Sequence, residues 1–176
     1  KRGFLSGRYL HDKAIMVAPR TLDGAAGFHL ITPFFTDAAH GGEVVLVNRG
    51  WVPVSYERPD NYSVYEPVGT GVIIGALRAV PRPNVFTPDN VPEKDVWYQI
   101  SAPDIEAVSG LDLLDGVLLY VEEEQFDDKA GSYPVAVARE GRLSNNHAQY
   151  AVFWFSMAAL MIGVYCLRFV FVRKEG

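Results

Sequence analysis

Gly27–Phe35 reads GFHLITPFF and Glu43–Val52 reads EVVLVNRGWV, with the polar, glycine-containing segment Thr36–Gly42 between them. Both runs are rich in β-branched and aromatic residues, which suit a pleated sheet surface. A short polar connection between two such runs predicts a hairpin with a longer loop. Apolar residues occupy both faces of each run, so both strands are expected to be covered rather than washed by water on one side. Outward from the hairpin, Ala14–Val17 predicts a short strand ended by Pro19, and Gly69–Ala79 another, its glycines pointing to a bend or bulge. Val96–Ile100 is expected to be extended. Val117–Val121 and Val135–Ala138 predict two more strands, flanking the acidic stretch Glu122–Lys129, which reads as a solvated loop.

Between these runs the chain is irregular. Residues 53–68 hold three prolines and five charged or asparagine residues, and Pro81–Pro92 holds four prolines in twelve positions. Ser101-Ala-Pro-Asp104, followed by Ile105–Ser109 and Gly110, carries an N-cap, an early proline and a glycine stop, and predicts one short helix. No β-α-β alternation is present. Residues 1–145 are therefore expected to form a mainly β domain, an antiparallel sheet closing into a small barrel or sandwich with one or two short helices.

The C-terminal end is different. From Tyr150 to Leu167 there are 18 consecutive residues without a charge, YAVFWFSMAALMIGVYCL, followed by Arg168 and four more apolar residues. A spanning helix needs roughly 20 mainly apolar residues, which this run supplies if Arg168 snorkels. Residues 146–172 are expected to be a transmembrane α-helix in membrane lipid, with residues 173–176 as a basic tail. Residues 168–176 carry three positive charges and one negative, whereas residues 1–167 carry 13 positive and 20 negative. The positive-inside rule places the tail on the matrix or cytoplasmic side and the acidic domain opposite, in the intermembrane space or periplasm. The sequence begins at Lys1 rather than Met, and a preceding segment that carries the domain across the membrane is expected.

Composition excludes several function classes. The chain of 176 residues has a net charge of −5, which argues against a nucleic-acid partner, since affinity for phosphates comes from Lys and Arg. The single cysteine, Cys166, excludes an internal disulfide, a Cys-x-x-Cys redox pair and a thiolate metal cage. No G-x-S-x-G, H-E-x-x-H, P-loop or G-x-G-x-x-G pattern is present, so an enzyme is not expected. Among the four histidines, His11 and His40 stand in turn-like contexts and His29 inside a strand, with a packed or hydrogen-bonded role. His147 differs, because it immediately precedes the apolar helix. With Tyr150, Ala151 and Trp154 it falls at i, i+3, i+4 and i+7, one helical stripe. An imidazole above aromatic rings suits a flat iron-bearing macrocycle. The other reading is an interfacial histidine bonded to the domain, with Asn145 and Asn146 capping the helix.

Gly27–Phe34 and Val45–Pro53, with Phe86-Thr-Pro-Asp-Asn-Val-Pro92, Trp97-Tyr98 and Asn145-Asn-His-Ala-Gln-Tyr150 plus Trp154, resemble the ordered motifs of the surfeit locus 1 family. Asp95 and Ala148 depart from the family's common Asn and larger apolar residue. The resemblance implies an inner-membrane factor, in mitochondria or bacteria, that assists assembly of cytochrome c oxidase (complex IV). Its partners would be oxidase core subunits, and its cargo heme a. It implies that His147 is a heme ligand, with Tyr150 and Trp154 covering the ring. Arg49 is added on charge complementarity alone, as a partner for a heme propionate. The family's first transmembrane helix is absent from this chain, leaving open whether it is cleaved, lies outside this sequence or comes from a separate polypeptide. The other functional expectation is a permanent accessory subunit of a respiratory complex that handles no heme.

Overall fold

A computed structural model describes residues 1–56, 66–82, 86–127, 133–137 and 147–171. The chain forms two compact units, Lys1–Arg139 and Glu140–Gly176. In the first, six strands succeed one another: β1 (Arg2–Tyr9), β2 (Ile15–Leu22), β3 (Ala25–Thr36), β4 (Val44–Pro53), β5 (Gly71–Ala79) and β6 (Leu113–Gln125), with one helix, α1 (Ala102–Ser109), before β6. The expected hairpin is β3–β4, in register from Gly27 opposite Pro53 to Phe35 opposite Val44.

The sheet order β1-β5-β6-β4-β3 returns to β1, so five strands close a barrel and β2 is an extra strand on β3. The edge of β3 is shared. Gly7–Tyr9 pair with Thr36–Phe34, and after the 3₁₀ turn His11–Lys13 the chain resumes in the same direction, with Ile15–Val17 opposite Ile31–His29. At the changeover Pro33, which has no N–H, still accepts through its carbonyl from the Leu10 amide at 2.9 Å. One pairing corrects the expectation of an all-antiparallel sheet. β4 and β6 are parallel, with Leu46, Val47 and Asn48 opposite Leu118, Leu119 and Tyr120.

Every residue of β4 up to Val52 is buried, as its double-sided apolar pattern predicts. Alternate residues serve two layers. Val47 faces the barrel interior with Tyr9, Phe34, Ile73, Leu119 and Val121. Leu46 faces outward into a layer with Ile31, Leu118, Trp97 and Ile105 of α1. Helix α1 forms where its punctuation places it. The Ser101 hydroxyl accepts from the Asp104 amide at 3.4 Å, and Gly110 stops it in the left-handed region at φ 71°.

Four features differ from expectation. β1 carries no clear strand pattern in sequence, because its residues (RGFLSGRY) mix charge and glycine. β2 continues past Pro19 to Leu22 through a register shift between Val17 and Arg20. β6 runs on through Glu122–Gln125, which are strand and not loop. Val135 makes only an isolated bridge to Trp51, and Ala138 lies outside the described residues.

The second unit contains α2 (His147–Tyr165), continued as wider π-helical turns over Cys166–Phe171. Gln149–Arg168, 20 residues, is long and apolar enough to cross a membrane, and none of it is buried against protein. At 1.5 Å per residue this is about 30 Å, the thickness of a bilayer's hydrocarbon core.

At Gly50 the backbone has φ +136° and lies against Val135, whose carbonyl a Cβ would strike. Gly50→Ala is expected to destabilise the fold by roughly 2 kcal/mol or more. Urea unfolding followed by tryptophan fluorescence of the detergent-solubilised protein measures this.

Candidate functional site

Two charged side chains meet inside the barrel. Arg49 on β4 has a fully buried side chain. Its Nε donates to Glu124 Oε1 at 2.9 Å and its Nη2 to Oε2 at 3.1 Å. Its guanidinium lies 4.5 Å from the centre of the Tyr9 ring, and the Tyr9 hydroxyl donates to Glu124 Oε1 at 2.7 Å. Both charges reach the interior at irregularities of pairing. Leu30 faces Gly50 and Ile31 faces Asn48, so Arg49 is the extra residue of a bulge in β4. Ile74 faces Glu123 and Gly75 faces Val121, so Glu122 is the extra residue in β6. The second bulge shifts the in-out alternation by one residue. Glu124 therefore shares a face with its partner Ile73 inside the barrel, while Glu122 outside pairs with Arg2 at 2.9 Å.

This environment shifts two groups. Burial first, and then the Glu124 charge, hold the Tyr9 hydroxyl well above its ordinary pKa. For Arg49 burial opposes the charge, but the hydrogen bonds and charge of Glu124 outweigh it and hold the guanidinium above its ordinary value. Arg49, expected as a partner for a heme propionate, thus has its charge answered by Glu124 from within the barrel. Glu124 is the partner that sequence reasoning missed, because the run Glu122–Glu124 reads as solvated unless the bulge is known.

His29 on β3 has the packed, hydrogen-bonded role expected of it. Gly50 N–H donates to Asn48 Oδ1 at 3.0 Å, so the Asn48 amide nitrogen faces His29 Nδ1, 3.3 Å away. That nitrogen can only donate, so the hydrogen of neutral His29 is assigned to Nε2. Burial, reinforced by the Arg20 charge, lowers its pKa from 6.5 to about 4. The proline- and asparagine-rich stretch is held by Asn90, whose Oδ1 accepts from the Tyr98 and Gln99 amides at 2.9 and 3.1 Å and whose Nδ2 donates to Asp104 at 2.8 Å. Asp95 has φ 54°, a left-handed position that Asp and Asn both tolerate, and accepts from Trp97 Nε1 at 2.9 Å.

In the second unit, His147 is the first residue of α2, and Tyr150, Ala151 and Trp154 follow on the same helical face. Tyr150 and Trp154 are exposed, and Trp154 meets Phe153 edge-on at 5.6 Å. The side chains of His147 and Ala148, and Asn145 and Asn146, which were expected to cap the helix, lie outside the described residues. Among the described residues no group of three or more His, Cys, Asp or Glu could hold a metal ion.

The chain matches the SURF1 family over residues 1–159, which takes in the β unit and the first part of α2. It belongs to the SURF1 family. It is 30% identical to a SURF1-like protein of Monosiga brevicollis, across all of this chain and 67% of that protein. It is 26% identical to Surfeit locus protein 1 of Mus musculus, across 93% of this chain and 56% of that protein. For Surfeit locus protein 1 of Homo sapiens the identity is 27%, across 87% and 53%. The chain thus spans little more than half the length of the mouse and human proteins. In this SURF1-family chain the matched stretch Val45–Pro53 contains Asn48, Arg49 and Gly50, which orient His29, pair with Glu124 and pass close to Val135.

Glu124→Ala leaves Arg49 buried without its carboxylate and is expected to cost about 3–5 kcal/mol in urea unfolding. A loss below 1 kcal/mol would show that water answers the charge instead. The pH dependence of stability follows from His29. Between pH 6.5 and about 4 the unfolded chain binds a proton there that the folded protein does not. This contribution is therefore present above pH 6.5 and is lost as pH falls towards 4, by at most about 1.4 kcal/mol per pH unit. His29→Gln should flatten that slope relative to the unsubstituted protein when urea midpoints are compared at pH 4.5 and 6.5.

Proposed function

We propose that this chain is a membrane-anchored assembly factor for cytochrome c oxidase, rather than an enzyme, and that it assists maturation of the oxidase core subunit by handling heme a as cargo. The family match over residues 1–159, spanning both the barrel and the start of the apolar helix, carries this reading. In it the barrel is a rigid platform for a nascent subunit, and α2 anchors the chain in the mitochondrial inner membrane with the acidic β unit in the intermembrane space. The charge asymmetry about Arg168 supports that orientation.

The face of α2 that bears positions 147, 150 and 154 supports the heme part. Tyr150 and Trp154 present exposed rings on the stripe that begins with His147. Aromatic rings of this kind cover a flat apolar macrocycle and exclude water from it. His147 would supply an imidazole to the iron, and a neutral imidazole nitrogen is a common iron donor. Helix α2 is apolar around its whole circumference, so the stripe offers a ring a lipid-miscible surface rather than an aqueous one.

His147→Ala is expected to lower the heme recovered with the purified full chain, read from its absorbance spectrum, while the far-UV circular dichroism stays unchanged. Trp154→Ala should lower it less, since packing contributes less than ligation. Equal heme content in His147→Ala and the unsubstituted protein would reject the ligand assignment. A parallel pulldown scored for oxidase core subunits tests the partner, and recovery of none would reject the assembly role.

A further inference from the structure

Parallel pairing of β4 with β6 brings the starts of both strands to one end of the sheet. Val44 pairs there with Leu113, and Phe35 of β3 pairs with Val44. A pocket of about 340 Å³ lies at this end, walled by the turn between β3 and β4 and by the link from α1 into β6. That is the lower end of the roughly 300–1,000 Å³ usual for small-molecule sites, room for a side chain or two rather than a cofactor. Both walls lie wholly within the described residues. None of the lining belongs to the barrel's internal ion pair or to α2.

Three properties restrict what the pocket accepts. First, its charge has one sign. Glu43 and Asp112 each precede one of the paired residues Val44 and Leu113, so the parallel register sets them side by side, and Asp115 lines the same pocket. Like charges placed opposite one another across a sheet destabilise it. No Lys, Arg or His lines the pocket, and among the described residues none of its three carboxylates has an ion pair. Glu122 and Glu124, by contrast, are answered by Arg2 and Arg49. Second, the lining leaves apolar surface in water. Val44 and Leu113 are buried, whereas Phe35 and Leu114 remain 38% and 37% exposed. The Arg8 guanidinium lies 5.6 Å from the centre of the Phe35 ring, so that ring already has a cation and contributes apolar area. Third, the walls are built. Glu43 N–H donates to Thr36 Oγ1 and Thr36 N–H to the Glu43 carbonyl, both at 2.9 Å. On the other side Leu113 N–H donates to Glu106 Oε1 at 3.0 Å and Leu111 N–H to Ser109 Oγ at 3.2 Å, so the pocket keeps its shape without an occupant.

We propose that this pocket docks a basic, apolar segment of a partner protein, with an arginine or lysine between Glu43, Asp112 and Asp115 and the adjoining apolar side chain against Phe35 and Leu114. Charge complementarity selects the occupant, because a cation from the partner relieves the repulsion that the parallel register imposes. A second copy docked symmetrically on the same patch would set carboxylates against carboxylates, and an anionic lipid surface meets the same repulsion. The apolar contact supplies affinity that an exposed ion pair alone lacks. The pocket needs no heme and no residue of α2, so it stands whether or not His147 ligates iron and whichever protein carries the segment.

The test uses the full chain in phosphatidylcholine nanodiscs and the fluorescein-labelled peptide SGRLRLGS as probe, titrated by fluorescence anisotropy. Saturable binding is expected, with SGRSRSGS roughly fivefold weaker or more because it lacks the apolar side chains. SGELELGS reverses the charge and should not bind. Asp112→Asn with Asp115→Asn should weaken SGRLRLGS by roughly fivefold or more, the combined effect of two partly exposed ion pairs. Asp89→Asn with Glu93→Gln removes the same charge outside the lining and should change binding by less than about twofold. Leu114→Ser should weaken SGRLRLGS while leaving SGRSRSGS unchanged. Far-UV circular dichroism and the tryptophan emission of buried Trp97 check that each variant folds, and sedimentation velocity reads self-association. Absence of saturable binding, equal binding of either control peptide, equal effects of the two neutralised pairs in folded protein, or a dimer that Leu114→Ser dissociates would each overturn the proposal.

Discussion

A guanidinium and a carboxylate facing each other in the barrel interior constrain the rest of the β unit. Arg49 and Glu124 come from β4 and β6, and the ring above the guanidinium, Tyr9, closes β1. Three of the five barrel strands thus meet at one charged contact. Removing two charges from water is costly, and only close bidentate geometry with the remaining hydrogen bonds filled offsets it. Here the geometry is bidentate and the tyrosine hydroxyl occupies a further carboxylate position. Such a contact tolerates little slippage. A one-residue shift of β6 would return Glu124 to the outside and leave Arg49 alone among apolar side chains, so the pair selects one strand register over its neighbours.

Much of this architecture was legible in the residues. The β3–β4 hairpin, the coverage of both faces of β4, the capped helix α1 and the long apolar helix follow from patterns of two, of 3.6 and of continuous apolarity. What was hidden depended on non-local pairing. β1 has a weak pattern of its own and is held by β5 on one side and β3 on the other. β2 passes Pro19 because a register shift absorbs it. The acidic run in β6 looks like a solvated loop because its alternation is broken by the extra residue Glu122, and no local signal says where a bulge will fall.

The candidate residues divide in the same way. The stripe of His147, Tyr150 and Trp154 is a local periodicity and is recovered as positions on one face of α2. Arg49 is legible in the sequence only as a charge, and charge without depth says nothing about which partner answers it. The motif that holds Arg49 works mainly as scaffold: Asn48 fixes the His29 tautomer, Gly50 permits the close pass by Val135, and Arg49 anchors the register. The same is true of Asn90, whose side chain accepts from the backbone amides of Tyr98 and Gln99 and so holds the segment before α1.

The parallel neighbours β4 and β6 have a consequence for synthesis. Fifty-nine residues separate Pro53 from Leu113, including all of β5 and α1, and β4 has an open hydrogen-bonding edge until that stretch has left the ribosome. Through this interval Arg49 has no counter-charge and the hairpin offers an unpaired apolar strand, the kind of surface that holdase chaperones shield during translation.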